Sequence, residues 1–394
     1  MKSNLLCLLL CFPLLLACQS NQNLHVNQAS SPSDLYLDNQ YLSLEAIHIE
    51  TEQEIFELDD GMRAMVKDKL SSHLTTQQKA RVLLNHLFNE ENIALSYDGS
   101  ANVTAKEAYH SKLANCMSLT ILAYALADEA GMNISFQDVE VPEYWVRNGE
   151  YSLLTGHVNL LVSESEEVDK RVVWGKRKIR IDFDPFVAKK SFPSHTIEKH
   201  TLLAMFYNNK GAEEMLNKNY PLAYQYFKKA TNTDTNFSSV WGNLGVLYKL
   251  SGHYAMAERA YSHALSLDRD NLTSLGNLAL LLNKQERYNE AKPIEDYIHK
   301  VRVKNPYYHA LLGNEAFFNQ SYKQAIQHYK KAIQLDDEQH EFYFGLAKAY
   351  YKQNKLVLSK RAMKKAVVLT KTKDTQKQYI AKLNFLKDQQ TIRP

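Results

Sequence analysis

Hydrophobic and polar positions divide the chain into four stretches of different character. An unbroken apolar run, Leu5 to Leu16, follows a single basic residue and gives way to a polar stretch rich in Ser, Asn and Gln up to about residue 43. Helical and alternating patterns then mix over residues 44–195, and from residue 204 a helical pattern repeats. This patterning predicts a short leader, a tether, one compact domain and a helical array.

The apolar run is too short to cross a bilayer comfortably and is typical of a signal-peptide core. It ends in Leu15-Leu16-Ala17-Cys18, which resembles the lipobox of bacterial lipoproteins. The resemblance implies that residues 1–17 are removed and that Cys18 is acylated and anchors the chain to a membrane. Gln19 is similar to the signal for outer-membrane sorting, so the expected location is the cell envelope, facing the periplasm. Residues 18–43 are then expected to form a flexible tether.

The C-terminal half repeats with a period of 34 residues, because small residues recur at that step from Gly211 through Gly245 to Ala347. Aromatic residues such as Trp241 and Tyr248 accompany them. The pattern resembles that of tetratricopeptide repeats and implies five helix pairs over residues 204–373, followed by a capping helix and tail at 374–394. The repeats are expected to begin near Ala204, Ser238, Leu272, Pro306 and His340.

Arrays of this kind are superhelices with a concave groove, and they bind proteins or peptides. Asn209, Asn243 and Asn277 occupy equivalent positions in three successive repeats. In peptide-binding members of the family, asparagines at this position can grip a ligand. The same residue is also a common polar residue that faces water. The array therefore predicts a protein or peptide partner.

The middle domain begins with helical patterns over Ile55–Leu70 and Thr76–Phe88. A third helical pattern follows Cys116, with Gly131 as its natural stop. Cys116 is therefore predicted at the N-terminus of a buried helix. There the free backbone N–H groups and the helix dipole favour an anion, here the nucleophilic thiolate.

Cys116 is also the one cysteine expected to stay unmodified. Cys7 and Cys11 lie in the leader and Cys18 at the lipidation site. An unpaired thiol is easily oxidised in an oxidising compartment, so the presence of one indicates that the thiol has a function. A redox-sensing role would need a nearby resolving cysteine, which the sequence lacks.

Two alternating stretches follow the helix, each with a polar candidate. Gly156–Val162 carries His157, and Lys178–Phe183 carries Asp182. Cysteine, histidine and aspartate are the groups of a thiolate–imidazolium pair oriented by a carboxylate.

The local motifs look like the transglutaminase-like branch of papain-type enzymes, over about residues 75–190. The matching segments are Thr104-Ala105-Lys106-Glu107-Ala108, Ala114-Asn115-Cys116-Met117-Ser118-Leu119, His157-Val158-Asn159 and Ile181-Asp182-Phe183. The resemblance implies an α+β transglutaminase-like (papain-type) domain followed by an all-α tetratricopeptide-repeat superhelix. It implies Cys116 as nucleophile, His157 as general acid and base, and Asp182 as the residue that orients the imidazole.

Asp184 is an alternative to Asp182, since both belong to one strand face. Asp182 is preferred because it sits within the predicted strand, whereas Asp184 precedes Pro185. Many relatives have Gly before the cysteine and Trp after it, where this chain has Asn115 and Met117. Trp145 is expected to line the site instead.

Charge and composition exclude several classes of partner and cofactor. A formal charge of +3 without a basic stripe argues against a nucleic-acid partner. The 13 glycines form no phosphate-binding loop, and His195 and His200 lack metal-ligand spacing, so neither cofactor nor metal is predicted. The expected function is a cysteine-dependent amide hydrolase or acyltransferase. The alternative is a non-catalytic tetratricopeptide scaffold with a degenerate middle domain.

Overall fold

A computed structural model describes most of the chain. The described residues are 32–41, 47–70, 72–89, 93–99, 101–148, 151–163, 178–183, 192–370 and 373–392. The predicted leader 1–17, the predicted lipid-attachment residue Cys18 and the alternative acid Asp184 lie outside them.

Short helices precede the helix that carries Cys116. A 3-10 turn at Pro32–Leu35 is followed by α1 (Asp38–Tyr41), α2 (Glu52–Ile55), α3 (Asp60–Lys69), α4 (Thr76–Phe88) and α5 (Ala105–Ser111). The single helix predicted over Ile55–Leu70 is wrong, because α2 and α3 are separate. Asp59 causes the break: its side chain accepts a hydrogen bond from the N–H of Met62 at 2.9 Å and so starts a new helix.

The described residues include eight strands, which lie among and after these helices. They are β1 (Ser96–Tyr97), β2 (Leu113–Ala114), β3 (Asn133–Val139), β4 (Tyr144–Asn148), β5 (Tyr151–Thr155), β6 (Val158–Ser163), β7 (Lys178–Ile181) and β8 (Ser194–Ile197). The main sheet is antiparallel, in the order β7-β6-β3-β8. Strands β4 and β5 form a separate hairpin, and β1 and β2 a short parallel pair.

Helix α6 (Cys116–Glu129) is the centre of this domain and packs on β6 and β3. It is apolar on nearly every side, so it is buried all round rather than along one stripe. Gly131, with φ of 67°, adopts the left-handed conformation just after the helix and turns the chain into β3.

The C-terminal half is an array of paired helices. The first helices of the pairs are α7 (Lys199–Leu216), α9 (Ser238–Leu250), α11 (Leu272–Lys284), α13 (Pro306–Phe318) and α15 (His340–Lys352). The second helices are α8 (Tyr220–Thr233), α10 (Tyr254–Leu267), α12 (Tyr288–Arg302), α14 (Tyr322–Leu335) and α16 (Leu356–Leu369), and α17 (Lys373–Ile392) follows.

Four first helices begin at the residue that the repeat pattern indicates, while α7 begins earlier, at Lys199. The extra turn adds Leu202 and Leu203, both buried, to a hydrophobic core that contains residues of the middle domain and of the first repeats. Small residues permit the close approach within a pair. A Cβ on Gly245 would lie 2.6 Å from the ring of Tyr261, closer than packing allows.

Residues 32–41, here called the strap, pack on the second helices of repeats 1 and 2. Leu35 is fully buried, and its carbonyl accepts a hydrogen bond from the Tyr248 hydroxyl. The ring of Tyr41 stacks on Tyr224 at 4.7 Å. This part of the predicted flexible tether is therefore packed against the array.

The middle domain and the first repeats share one hydrophobic core, which runs from α6 into α7 and α8. Glu50 reinforces the junction. Its carbonyl accepts a hydrogen bond from the Tyr207 hydroxyl, and its carboxylate accepts one from the Tyr226 hydroxyl, each at 2.7 Å. The array is thus fixed to the domain at its first repeat.

Candidate active site

Cys116 is the first residue of α6 and is half-buried with a free thiol. Asn115 caps the helix, because its Oδ1 accepts a hydrogen bond from the N–H of Ser118 at 2.9 Å. The cap leaves the N–H groups of Cys116 and Met117 without a partner inside the helix. The thiol therefore lies beside backbone donors at the positive end of a helix dipole.

His157 lies between β5 and β6, one residue before β6 begins. Its carbonyl accepts a hydrogen bond from the N–H of Val139 at 2.9 Å, which ties it to β3. The Thr120 hydroxyl lies 2.8 Å from the Cys116 carbonyl and 3.3 Å from that of Val158. Thr120 thus joins the first turn of α6 to the strand next to His157.

Asp182 was predicted to lie within a strand. In the structure that strand, β7, ends at Ile181, and Asp182 is the residue that follows it. Its Oδ1 lies 2.9 Å from Nε2 of His157, and the two side chains are only 3% and 4% exposed. Its Oδ2 accepts a hydrogen bond from Nδ2 of Asn159, also at 2.9 Å. Both carboxylate oxygens are therefore held in a dry environment.

The electrostatics favour a charged imidazole. Burial alone would lower the pKa of His157, but hydrogen bonds with Asp182 and Cys116, together with their charges, raise it to about 9. Because Nε2 faces Asp182, the other ring nitrogen, Nδ1, is the one left for the thiol. His157 can therefore hold a proton at neutral pH between a carboxylate and a sulfur.

The structure brings together all three residues proposed from the sequence: Cys116, His157 and Asp182 contact one another in that order. Trp145 lies in β4. His195 is on the edge strand β8, and its Nε2 lies 3.8 Å from Oδ2 of Asp138. His200 is in the array, and its Nε2 lies 3.8 Å from Oδ2 of Asp234. Among the described residues, no group of three or more His, Cys, Asp or Glu side chains is placed to hold a metal ion.

Sequence reasoning assigned no role to Asn159 or Thr120. Asn159 stands two residues after His157, so strand alternation puts both side chains on one face of the sheet. That alternation was the available signal for Asn159. Thr120 follows Cys116 by four residues, a spacing that places it above the cysteine on the same face of α6.

The asparagines of the array are partly engaged. Asn243 donates a hydrogen bond from Nδ2 to Oδ1 of Asn208 in the preceding first helix, at 2.8 Å. Asn209 and Asn277 are half-buried. A ligand that uses Asn243 has to compete with this internal bond.

Comparison with known families supports the repeats. A tetratricopeptide-repeat model matches residues 238–271, and a second repeat model matches residues 313–354. The C-terminal half therefore contains tetratricopeptide repeats, as the sequence predicts, and repeats of this kind generally bind proteins or peptides. Neither match extends into the middle domain, and no curated protein matches the chain.

Several solved structures are similar in part. The Pseudomonas aeruginosa pilF protein is 18% identical, with 49% of this chain and 88% of its own covered and a TM-score of 0.32. MamA of Desulfovibrio magneticus RS-1 is 18% identical, with 42% and 94% covered and a TM-score of 0.28. Yeast Tom70 is 17% identical, with 49% and 55% covered and a TM-score of 0.30.

Among the described residues, no helix combines the length and the apolar character needed to span a bilayer.

Proposed function

We propose that the protein is a lipid-anchored enzyme of the cell envelope, with a cysteine-dependent amide hydrolase or acyltransferase domain that the repeat array directs to protein substrates. The observation that carries the proposal is the chain of contacts from Cys116 through His157 to Asp182. A helix dipole, an imidazole and a buried carboxylate around one thiol are what amide cleavage by a cysteine requires. The motif resemblance to transglutaminase-like enzymes supports the same reading.

The chemistry follows from these positions. The Cys116 thiolate attacks the amide carbonyl carbon, a carbon–sulfur bond forms, and the carbonyl electron pair moves onto oxygen. The first-turn N–H groups of α6 face the negative charge that develops there. His157 gives its proton to the departing amine as the carbon–nitrogen bond breaks, which leaves a thioester.

The second half of the reaction regenerates the enzyme. His157, now neutral, accepts a proton from water or from an acceptor amine as that nucleophile attacks the thioester. The carbon–sulfur bond breaks, and the thiolate returns beside the imidazolium. Water yields a carboxylate, and an amine yields a new amide. Asp182 stays ionised throughout and keeps the imidazole aligned.

Alkylation of Cys116 by iodoacetamide over a range of pH tests the proposal. We expect the rate to reach half its maximum well below the free-thiol value of about 8.5. His157→Ala should move that midpoint toward the free-thiol value, whereas His73→Ala, at an exposed position, should leave it in place. A wild-type midpoint at or above about 8.5 would contradict an activated nucleophile.

A second function, a scaffold with a degenerate middle domain, is favoured by Asn115 and Met117, where many relatives have Gly and Trp. Capture of an acyl group on Cys116 from envelope extract, identified by mass spectrometry, separates the two. An adduct lost in Cys116→Ala supports the enzyme. A cellular phenotype that survives Cys116→Ala but not disruption of the array supports the scaffold.

Membrane attachment has its own test, because Cys18 is the proposed anchor. Labelled fatty acid should enter the wild-type protein and Cys11→Ala but not Cys18→Ala. Labelling that survives in Cys18→Ala would contradict the lipid anchor.

A further inference from the structure

Arg302 is a buried charge in an unusual place for a repeat array. It is the last residue of α12 and is only 8% exposed. Its Nε and Nη2 each lie 2.6 Å from one carboxylate oxygen of Glu143, so the two side chains form a bidentate pair. Glu143 belongs to the middle domain and is 159 residues away in sequence.

Asn305 strengthens the same contact from the next helix. Its Nδ2 donates a hydrogen bond to the Glu143 carbonyl at 2.8 Å, while its Oδ1 accepts one from the N–H of Tyr307 and caps α13. The side chain and the backbone of Glu143 are therefore both held by the junction of repeats 3 and 4. This second attachment of the array is separate from the one at repeat 1.

The position of Glu143 connects this attachment to the candidate site. Glu143 immediately precedes β4, whose first residue, Tyr144, pairs with Thr155 at the end of β5. Antiparallel pairing places Glu143 across from Gly156, the residue before His157. The base of the hairpin, and with it the approach to His157, is thus clamped from the array.

The cysteine side of the site touches the array as well. Asn102 donates a hydrogen bond to the Phe206 carbonyl in α7 at 3.2 Å. Its neighbour Ala101 accepts hydrogen bonds from the N–H of Asn115 and the hydroxyl of Ser118, which form the start of α6. Repeat 1 thus supports the start of the cysteine helix, and repeats 3 and 4 support the histidine segment.

The Arg302 side chain is 9% exposed and that of Glu143 is 24% exposed, so desolvation of the charges offsets part of their attraction and the pair gains little stability. An apolar pair of similar size would serve packing as well or better. A bidentate pair adds a fixed distance and orientation between two segments that are far apart in the sequence. The geometry of Arg302 is therefore better suited to orienting the two segments than to increasing the stability of their contact.

We propose that Arg302 is a positioning residue for the candidate site, which through Glu143 holds the β4–β5 hairpin so that His157 stays aligned with Cys116. The array would then be part of the catalytic unit as well as its recruiting arm, and a partner that bends the array would alter the reactivity of the thiol. This inference rests on the proposed function.

The experiment compares Arg302→Gln with Arg287→Gln in the full chain, each checked for folding by circular dichroism. Arg287 is the matched control, because it pairs with Glu258 and Glu290 inside the array. Two readouts are taken: the pH profile of Cys116 alkylation, and hydrogen exchange over residues 151–163. Glu143→Gln provides an independent route to the same loss should Arg302→Gln fold poorly.

We expect Arg302→Gln to slow alkylation at about pH 6 by about tenfold or more, to raise the midpoint, and to speed exchange over residues 151–163. Arg287→Gln should match the wild type in both. The charge-reversed pair Glu143→Arg with Arg302→Glu should recover part of the loss, since it restores an ion pair. Wild-type behaviour of both Arg302→Gln and Glu143→Gln in the two readouts would overturn the proposal.

The two proposals fail differently. If the wild-type thiol is not activated but exchange still rises in Arg302→Gln, the enzyme proposal fails while the clamp stands. If the thiol is activated in the wild type and equally so in Arg302→Gln with unchanged exchange, the clamp fails and the enzyme proposal stands.

Discussion

Asn159 donates a hydrogen bond to Oδ2 of Asp182, while Oδ1 of the same carboxylate faces His157. Asn159 is fully buried, and within the described residues its own Oδ1 has no hydrogen-bond partner. Rotation of the Asp182 carboxylate would break its contact with His157 or its hydrogen bond from Asn159. Asn159 therefore fixes the face that the carboxylate presents to the imidazole.

Removal of this support should be measurable at the thiol. We expect Asn159→Ala to slow alkylation of Cys116 near neutral pH by about tenfold, since a hydrogen bond to a charged group contributes about 1.5–3 kcal/mol. Asn209→Ala, at a half-buried position in the array, is the control. An unchanged pH profile in Asn159→Ala would mean that Asp182 needs no second anchor.

Turnover should depend on the proton of His157. Because Asp182 and Cys116 raise the pKa of His157 to about 9, we expect the rate of amine release to fall as pH rises through that value. Asp182→Asn should move the fall to lower pH, because the hydrogen bond and charge that raise the pKa are weakened. Asp128→Asn, at an exposed position, should not. A fall at the same pH in Asp182→Asn would disprove the assigned cause.

His263 should make the fold sensitive to acid. Its ring packs edge-on against Trp241 at 4.6 Å, and among the described residues neither nitrogen has a hydrogen-bond partner. Burial lowers the pKa of His263, so below about pH 6.5 the unfolded chain binds more protons and the free energy of unfolding decreases.

The unfolding temperature should therefore drop between about pH 7 and about pH 5, and drop less in His263→Leu. Burial lowers the pKa of His86 and His328 too, so part of the drop should remain. His73→Leu, at an exposed site, should keep the wild-type slope. An identical slope in His263→Leu would exclude this histidine as a source.

Two glycines offer a matched test of helix packing in the array. A Cβ on Gly345 would overlap the ring of Tyr329, whereas one on Gly276 would sit 3.8 Å from Ile298 in ordinary contact. We expect Gly345→Ala to lower the free energy of unfolding by about 1–3 kcal/mol. Gly276→Ala should raise it by up to about 1 kcal/mol through helix propensity. Urea titration distinguishes the two, and equal effects would contradict the packing described.

The strap should stabilise the first repeats more than the last. Leu35→Ala removes a fully buried side chain and should lower the free energy of unfolding by about 2–5 kcal/mol. Asn39→Ala, at an exposed position of the same segment, should change it by less than about 0.5 kcal/mol. Hydrogen exchange should rise in α8 to α10 and stay constant in α16. A uniform rise would argue against a local role.

The sequence predicted those features of the fold that depend on contacts between residues close together in the chain. The starts of α9, α11, α13 and α15 follow from a repeat in which each pair of helices contacts mainly its neighbours. The position of Cys116 follows from one apolar run with a cap in front of it. These features need no knowledge of distant residues.

Features that depend on distant contacts escaped prediction. The strap has the polar composition of a tether, and its helices are too short to show periodicity. Its order depends on contacts with repeats 1 and 2, which include the ion pair of Asp38 with Lys228. The Glu143–Arg302 pair joins residues on two domains, and neither residue stands out in its own segment. The meeting of Asp182 with His157 was suggested by motif order, whereas strand alternation puts Asn159 on the face of His157 without showing that it contacts Asp182.

The strap has a consequence for the order of folding. Repeat arrays usually fold from contacts between neighbouring residues, yet Leu35 meets Tyr248 across 213 positions. The closure of so long a loop costs more entropy than the closure of the short loops between neighbouring helices. This cost slows formation of the contact. The strap is synthesised before the second repeat and cannot dock until that repeat has formed. The N-terminal repeats should therefore be the last part of the array to reach their final protection.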